Sequence, residues 1–249
     1  MVTFAPTFVI MPILHKNGGA MNHILIVSGG IGSRMQLGTL PKQYIEVGGR
    51  PIIAYCLEKF EKHPLADTIT IVADPKWYDY LKELIRRENI SKFRGFAPAG
   101  DTRQLSILNG LIALETDAAR NDVVSIHDAV RPCVSDRIIT DTLTGFPEWD
   151  GVMPYLPVTD TCYLSYDGQT IAEQVPRDAL VAGQTPESFL FGKYYDAHIK
   201  AGPEGVRDLR GSTQIAVANG MKIHLVPGSR SNLKITTKED LELFESIST

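Results

Sequence analysis

Downstream of Met21 the chain alternates short apolar runs with longer segments in which apolar residues recur every three or four positions. Residues 23–28 (HILIVS) form a β-branched run, and residues 51–63 (PIIAYCLEKFEKH) place Ile53, Cys56, Leu57 and Phe60 at helical spacing. The same order, strand then helix, recurs in TITIVA with WYDYLKELIRREN, in FRGFA with QLSILNGLIALE, and in DVVSIHD with SDRIITDTL, where Ser135 suits a helix N-cap. Four such units in a row predict a mainly parallel sheet covered by helices on both faces, an α/β fold.

From Val152 to about Val175 the rhythm changes to strand-like pieces (GVMPYLPV, TCYLSY, QTIAEQV), with Asp167-Gly168 as a hairpin turn signal. This predicts a β-arm at about 152–186. A helix over 189–200, a strand KIHLVP and a last helix from about Lys238 follow, the last entered through Thr236 and Glu239 as a capping box. No repeat or linker interrupts residues 21–249, which read as one domain, whereas residues 1–20 read as a poorly ordered extension. That extension has no basic start and no cleavage motif, and its apolar part is too short to span a bilayer.

Composition narrows the classes. The 249 residues are 43% hydrophobic with a formal charge of -4, and no basic cluster covers a face, so neither nucleic acid nor a membrane is an expected partner. Cys56, Cys133 and Cys162 lack metal-ligand spacing and read as reduced thiols, which points to the cytoplasm.

The candidate chemistry starts at residues 27–44, VSGGIGSRMQLGTLPKQY, which follow a strand and precede a helix, a place where open α/β sheets receive phosphate. Met35 occupies the third glycine position of a dinucleotide fingerprint, which counts against a nicotinamide oxidoreductase, and a Walker A ending is absent. Gly29, Gly30 and Gly32 permit close backbone approach, and Arg34 and Lys42 are separate cations suited to a triphosphate. A tight turn with solvated basic side chains is the other reading. Asp128, at the end of an apolar strand, is placed to hold Mg²⁺ beside nucleotide phosphates, or else is a turn residue. His127 next to it reads as a packed supporting residue.

Six ordered stretches, SGGIGSRM…PKQY, AGDTRQLSILNGL, HDAVRP, PVTDT, VPRDALVAGQTPESF and NLKITTKEDL, resemble the cytidylyltransferases that make CDP-activated polyol phosphates. That family includes the 2-C-methyl-D-erythritol 4-phosphate and ribitol-5-phosphate enzymes. The resemblance implies a three-layer αβα nucleotidyltransferase fold with the arm used for dimerisation. It implies that Gly29, Gly30, Gly32 and Arg34 hold the CTP phosphates and that Lys42 and Lys234 meet the reacting phosphates. Gly100, Asp101, Arg103 and Ser106 would read cytosine and ribose. Arg131 and Thr161 would contact the acceptor, and Arg177 and Thr185 would grip its phosphate from the neighbouring subunit of a homodimer.

The resemblance departs at DLRGSTQIAV, where Arg210, Gly211 and Ser212 stand in place of threonine and acidic residues. Such an exchange near a site bears on which acceptor is used. Isoprenoid and cell-surface polymer synthesis both remain open as pathways. A nucleotide-binding module without turnover is the rival reading, opposed by the joint presence of Arg34, Lys42, Asp128, Arg177 and Lys234.

Overall fold

The computed structural model describes residues 19–30 and 40–248. The expected extension over 1–20 therefore lies outside the described residues up to Asn17 and Gly18, and so do Gly32 and Arg34 of the glycine loop. The chain runs β1 (Asn22–Val27), the small hairpin β2 (Glu46–Val47) and β3 (Arg50–Pro51), α1 (Ile52–Lys62), β4 (Thr68–Ala73), α2 (Tyr78–Arg87), β5 (Phe93–Pro98), α3 (Arg103–Leu114), β6 (Val123–Asp128) and α4 (Asp136–Leu143). It continues through β7 (Gly151–Pro157), β8 (Cys162–Leu164), β9 (Glu173–Val175), β10 (Val181–Gly183), β11 (Glu187–Leu190), α5 (Phe191–Arg207), α6 (Ser212–Ala218), β12 (Ile223–Pro227) and α7 (Lys238–Ser248).

The strands β5, β4, β1 and β6 lie side by side in that order, all parallel, as the four strand–helix units require. Beyond β6 the sheet turns mixed. β11 runs antiparallel to both β6 and β7, and β7 carries β10 antiparallel and β12 parallel. Because side chains alternate along a strand, β1 serves both layers at once. Ile24 and Ile26 pack with α1, α2 and α4, while Leu25 packs with α3, α5 and α6. The inward faces of both helical layers are buried against the sheet, which gives the expected three-layer αβα arrangement.

Three expectations about elements need correction. Phe189 belongs to β11, not to a helix: it is wholly buried and pairs with Val124 and Gly151, so sheet pairing decides an apolar run whose periodicity fits either state. The following helix continues to Arg207 through a kink at Gly202, whose φ of 65° marks the break. The β-arm is shorter than 152–186, because β7 and β10 are main-sheet strands and only β8 and β9 form a separate two-stranded ribbon. Within that ribbon the Asp167-Gly168 signal holds: the Asp167 carboxylate accepts from the backbone of Gln169 and Thr170, and Gly168 has φ 70°.

Side chains cap the entries of α3, α4 and α7. Ser135 accepts from Ile138 N at 3.4 Å, as expected. At α7 the box sits one residue later than Thr236 and Glu239. Thr237 Oγ1 accepts from Asp240 N, and the Asp240 carboxylate accepts from Thr236 N and Thr237 N. The loop after β1 leads into a short 3-10 turn at Lys42–Tyr44 and the β2–β3 hairpin, so α1 does not open directly behind the glycines.

Candidate active site

A cleft of about 730 Å³ opens at the carboxyl ends of β1, β4, β5 and β6, where an open parallel sheet places ligands. Gly29, Gly30, Lys42, Gly100, Asp101, Arg103, Ser106, Asp128 and Lys234 all line it, so residues more than 200 positions apart in the chain are brought together.

Two glycines are required by close packing. A Cβ on Gly29 would stand 2.6 Å from Ala99 Cβ, and one on Gly100 would stand 2.4 Å from Leu105 Cβ and 2.9 Å from the Leu105 carbonyl carbon. The β1 loop is held from behind by Gln43, whose amide donates to Ser28 O at 2.6 Å and Gly30 O at 3.1 Å. The loop before α3 is held by Ser106, whose hydroxyl accepts from Gly100 N at 3.0 Å and donates to Thr102 O at 2.9 Å. Ser106 is 2% exposed and internally bonded, so its observed work is to shape the Gly100 turn.

The centre of the cleft is Asp128. Its Oδ1 accepts from Arg103 Nε at 2.9 Å, Lys234 Nζ lies 2.8 Å from Oδ2, and Arg131 Nε stands 3.9 Å from Oδ2. Burial alone would raise the carboxyl's pKa, but Arg103, Lys234 and Arg131 together hold it well below the usual carboxylate range. Lys42 Nζ reaches Ile235 O at 3.4 Å, which sets this second lysine beside the Lys234 segment.

His127 supports this carboxylate from below. The Arg131 carbonyl can only accept, so His127 donates from Nε2 at 3.1 Å and its Nδ1 faces Thr185 Oγ1 at 3.3 Å. Thr185 Oγ1 in turn accepts from Asp128 N at 3.2 Å. Burial pushes the His127 pKa down to about 4, so the ring is neutral at pH 7 and is a packed supporting residue, as read from its position.

Three expected site residues turn their polar groups to the protein. Thr185 does not accompany Arg177 on the arm; it is 6% exposed and committed to His127 and Asp128. Arg131 is also buried, and its Nη1 donates to Asn232 O at 2.7 Å rather than facing an open acceptor space. Arg103 directs Nε to Asp128, Nη1 to Ser212 Oγ at 2.6 Å and Nη2 towards Glu187 at 3.8 Å, which leaves its donors turned to protein instead of a base. Thr161 and Arg177 are exposed on the arm, where Arg177 Nη1 donates to Thr159 O at 3.0 Å. Asp101 is exposed at the rim, 3.4 Å from Arg207.

Asp128 is the carboxylate that the sequence reading sets beside Mg²⁺ and the nucleotide phosphates. Both of its oxygens hold cations, and no group of three or more His, Cys, Asp or Glu side chains among the described residues could hold a metal. Gln43, Asn232, Glu187 and Thr213 are contributors that motif reading left without a role, and Ser212, marked there only as a departure near the acceptor, bonds Arg103. Asn232 ties the Lys234 segment to Thr185 O at 2.8 Å. The only signal for them was proximity to quoted motifs, since their partners lie as far as 109 positions away.

A glycine-lined cleft that carries Lys42, Arg103 and Lys234 at the carboxyl edge of a three-layer αβα sheet is the arrangement of a nucleotidyltransferase, and the comparisons agree. The family described as IspD: 2-C-methyl-D-erythritol 4-phosphate cytidylyltransferase matches residues 22–249, and the chain belongs to that family of cytidylyltransferases. It is 34% identical over 227 residues to a ribitol-5-phosphate cytidylyltransferase of Vibrio parahaemolyticus, covering 91% of this chain and 95% of the relative. It is 38% identical over 224 residues to a 2-C-methyl-D-erythritol 4-phosphate cytidylyltransferase of Geobacter metallireducens, covering 89% and 95%. The crystal structure of the Francisella tularensis 2-C-methyl-D-erythritol 4-phosphate cytidylyltransferase superposes with a TM-score of 0.77 at 26% identity, covering 91% of this chain and 99% of that one.

The buried histidine predicts a pH dependence. Between pH about 6.5, the ordinary histidine value, and the folded value of about 4, the unfolded chain binds a proton that folded His127 refuses, so stability rises with pH across that window. Urea titrations from pH 4 to 7 should show that rise, with a smaller slope in His127→Gln; an unchanged slope would contradict the assignment.

Proposed function

We propose that the chain transfers CMP from CTP to a polyol phosphate and releases pyrophosphate. The observation that carries the reading is the convergence of Lys42, Lys234, Arg103 and the Gly29-Gly30 turn around Asp128 in one cleft. The Lys42 and Lys234 ammonium groups and the backbone at Gly29-Gly30 line the same cleft, a combination that suits nucleotide phosphates. In the step, an oxygen of the acceptor's phosphate attacks the α-phosphorus of CTP in line. The new P–O bond forms as the bond to the bridging oxygen of the β-phosphate breaks, and pyrophosphate carries away that electron pair.

Nothing in this step needs a covalent enzyme intermediate. Lys42 and Lys234 stabilise the charge that develops on the transferring group, and Arg34 joins them in the sequence-based reading. A divalent ion, Mg²⁺ in that reading, would arrive on the triphosphate, since magnesium favours phosphate oxygens and waters over an all-protein cage. In this reading Gly29, Gly30, Gly100, Asp101 and Ser106 serve the nucleotide, joined by Gly32 on the sequence resemblance alone, and Arg131, Thr161, Arg177 and Thr185 serve the acceptor, the buried ones by shaping the walls.

Relatives of similar identity are named for both acceptors, 2-C-methyl-D-erythritol 4-phosphate and ribitol 5-phosphate, so the reading extends to the polyol-phosphate class. No helix among the described residues is long and apolar enough to cross a membrane, and the three cysteines are free, which supports a cytoplasmic setting. We infer further that two copies pair through the arm, where Tyr163, Leu164, Tyr166 and Ile171 are exposed together. Arg177 would then serve the partner's acceptor phosphate.

Pyrophosphate release from CTP should appear with one of the two named polyol phosphates and not without acceptor. Lys42→Ala should lower kcat by about a hundredfold or more, the usual effect of losing a pre-organised partner of the transition state. CTP binding without release across both acceptors would support the binding-module reading instead.

Light scattering should give about twice the chain mass of 27.5 kDa, falling to the single-chain mass when Tyr166 and Ile171 are both changed to Asp. Arg177→Ala should raise the acceptor KM with the CTP KM unchanged. A monomeric wild type, or an unchanged acceptor KM, would contradict the arm's assignment.

A further inference from the structure

The Arg103 guanidinium is fastened from three elements. Asp128 at the end of β6 takes Nε, Ser212 at the start of α6 takes Nη1 at 2.6 Å, and Glu187 on β11 stands 3.8 Å from Nη2. The last two anchors are themselves fixed. Thr213 Oγ1 donates to Glu187 Oε1 at 2.7 Å, and the Tyr194 hydroxyl donates to Ser212 O at 3.1 Å. Tyr194 also stacks on Phe189, two residues along β11 from Glu187, with ring centroids 4.0 Å apart and planes within 2°. Ser212 is fully buried and Glu187 is 7% exposed, so these contacts exclude competing water.

This arrangement gives the unusual LRGST segment a task. Of its residues, Ser212 and Thr213 touch Arg103 and Glu187, and none of the five lines the cleft. Building on the transferase reading above, we propose that Glu187 and Ser212 are positioning residues of the transfer site. They lock Arg103, Arg103 locks Asp128, and Asp128 holds the Lys234 ammonium at the place where it meets the reacting phosphates. A carboxylate is needed beside the outer nitrogens of Arg103. Position 212 is a second place from which one would reach, because its side-chain oxygen already lies in contact with Nη1.

The test combines Glu187→Gln, which keeps the shape and the acceptor for Thr213 while removing the charge, with the double variant Glu187→Gln/Ser212→Asp, which returns a carboxylate from α6. Glu187→Gln should lower kcat about tenfold to a hundredfold, the range expected when a reacting group is displaced slightly, with both KM values within about twofold of wild type. The double variant should recover most of the loss. A merely structural role would not be rescued by a charge on a different element.

The Arg103 Nε–Hε signal in ¹H–¹⁵N spectra supplies a readout independent of turnover: rigid in wild type, broadened in Glu187→Gln and restored in the double variant. Should Glu187→Gln fold poorly, Ser212→Ala carries the same comparison. Wild-type kcat with an unchanged Arg103 signal, or a loss the relocated carboxylate does not rescue, overturns the proposal. A signal that responds as expected in a chain that releases no pyrophosphate upholds the locking of Arg103 and rejects the transferase reading.

Discussion

A buried carboxylate surrounded by three cations organises this molecule. Asp128 is 5% exposed, and a lone ionised carboxylate at that depth would be costly; Arg103, Lys234 and Arg131 are what keep it ionised. The dependence runs both ways. Each cation is drawn in from a different part of the chain, so the ion cluster joins β6, α3 and the segment before α7 at a single point. Removing one partner from such a cluster typically costs about 3–5 kcal/mol, because it strands the charge that remains.

The fold delivers these groups by edge geometry. Four parallel strands end at one side of the sheet; the loops after β1, β4 and β5 carry Gly29, Asp74 and Gly100, and the last residue of β6 is Asp128, all lining a common cleft. β11, inserted antiparallel between β6 and β7, places Thr185 and Glu187 on either side of Pro186 within reach of Asp128 and Arg103. The mixed half of the sheet therefore supports the site that the parallel half builds. Asn232 and Gln184 close the arrangement, Asn232 through Thr185 O and Gln184 through Ser229 O.

Much of this was legible in the residues, for definite reasons. The parallel core follows from apolar runs alternating with helical periodicity, and Ser135 was readable as a cap because capping is local. The ordered motifs point to Asp128 and Lys234, whose side chains the fold brings to 2.8 Å from each other. What escaped depends on distant partners. Phe189 lies in a continuous apolar run that fits strand or helix, and only pairing with Val124 and Gly151 decides it. The ordered motifs set Thr185 and Arg131 towards the acceptor, yet the buried His127 and Asn232 claim them. Glu187 carries no signal of its own and Ser212 stands out only as a departure from the family pattern; the contacts of both appear when Arg103 reaches them.

The central claim is that the cleft around Asp128 receives the triphosphate of CTP. A crystal structure of the chain with CTP bound tests it most directly. The account predicts phosphate oxygens within hydrogen-bond distance of Gly30 N and Lys42 Nζ, with cytosine towards Gly100 and Ser106. Nucleotide bound elsewhere, for instance in the separate cleft lined by Phe146, Trp149 and His224, would contradict it.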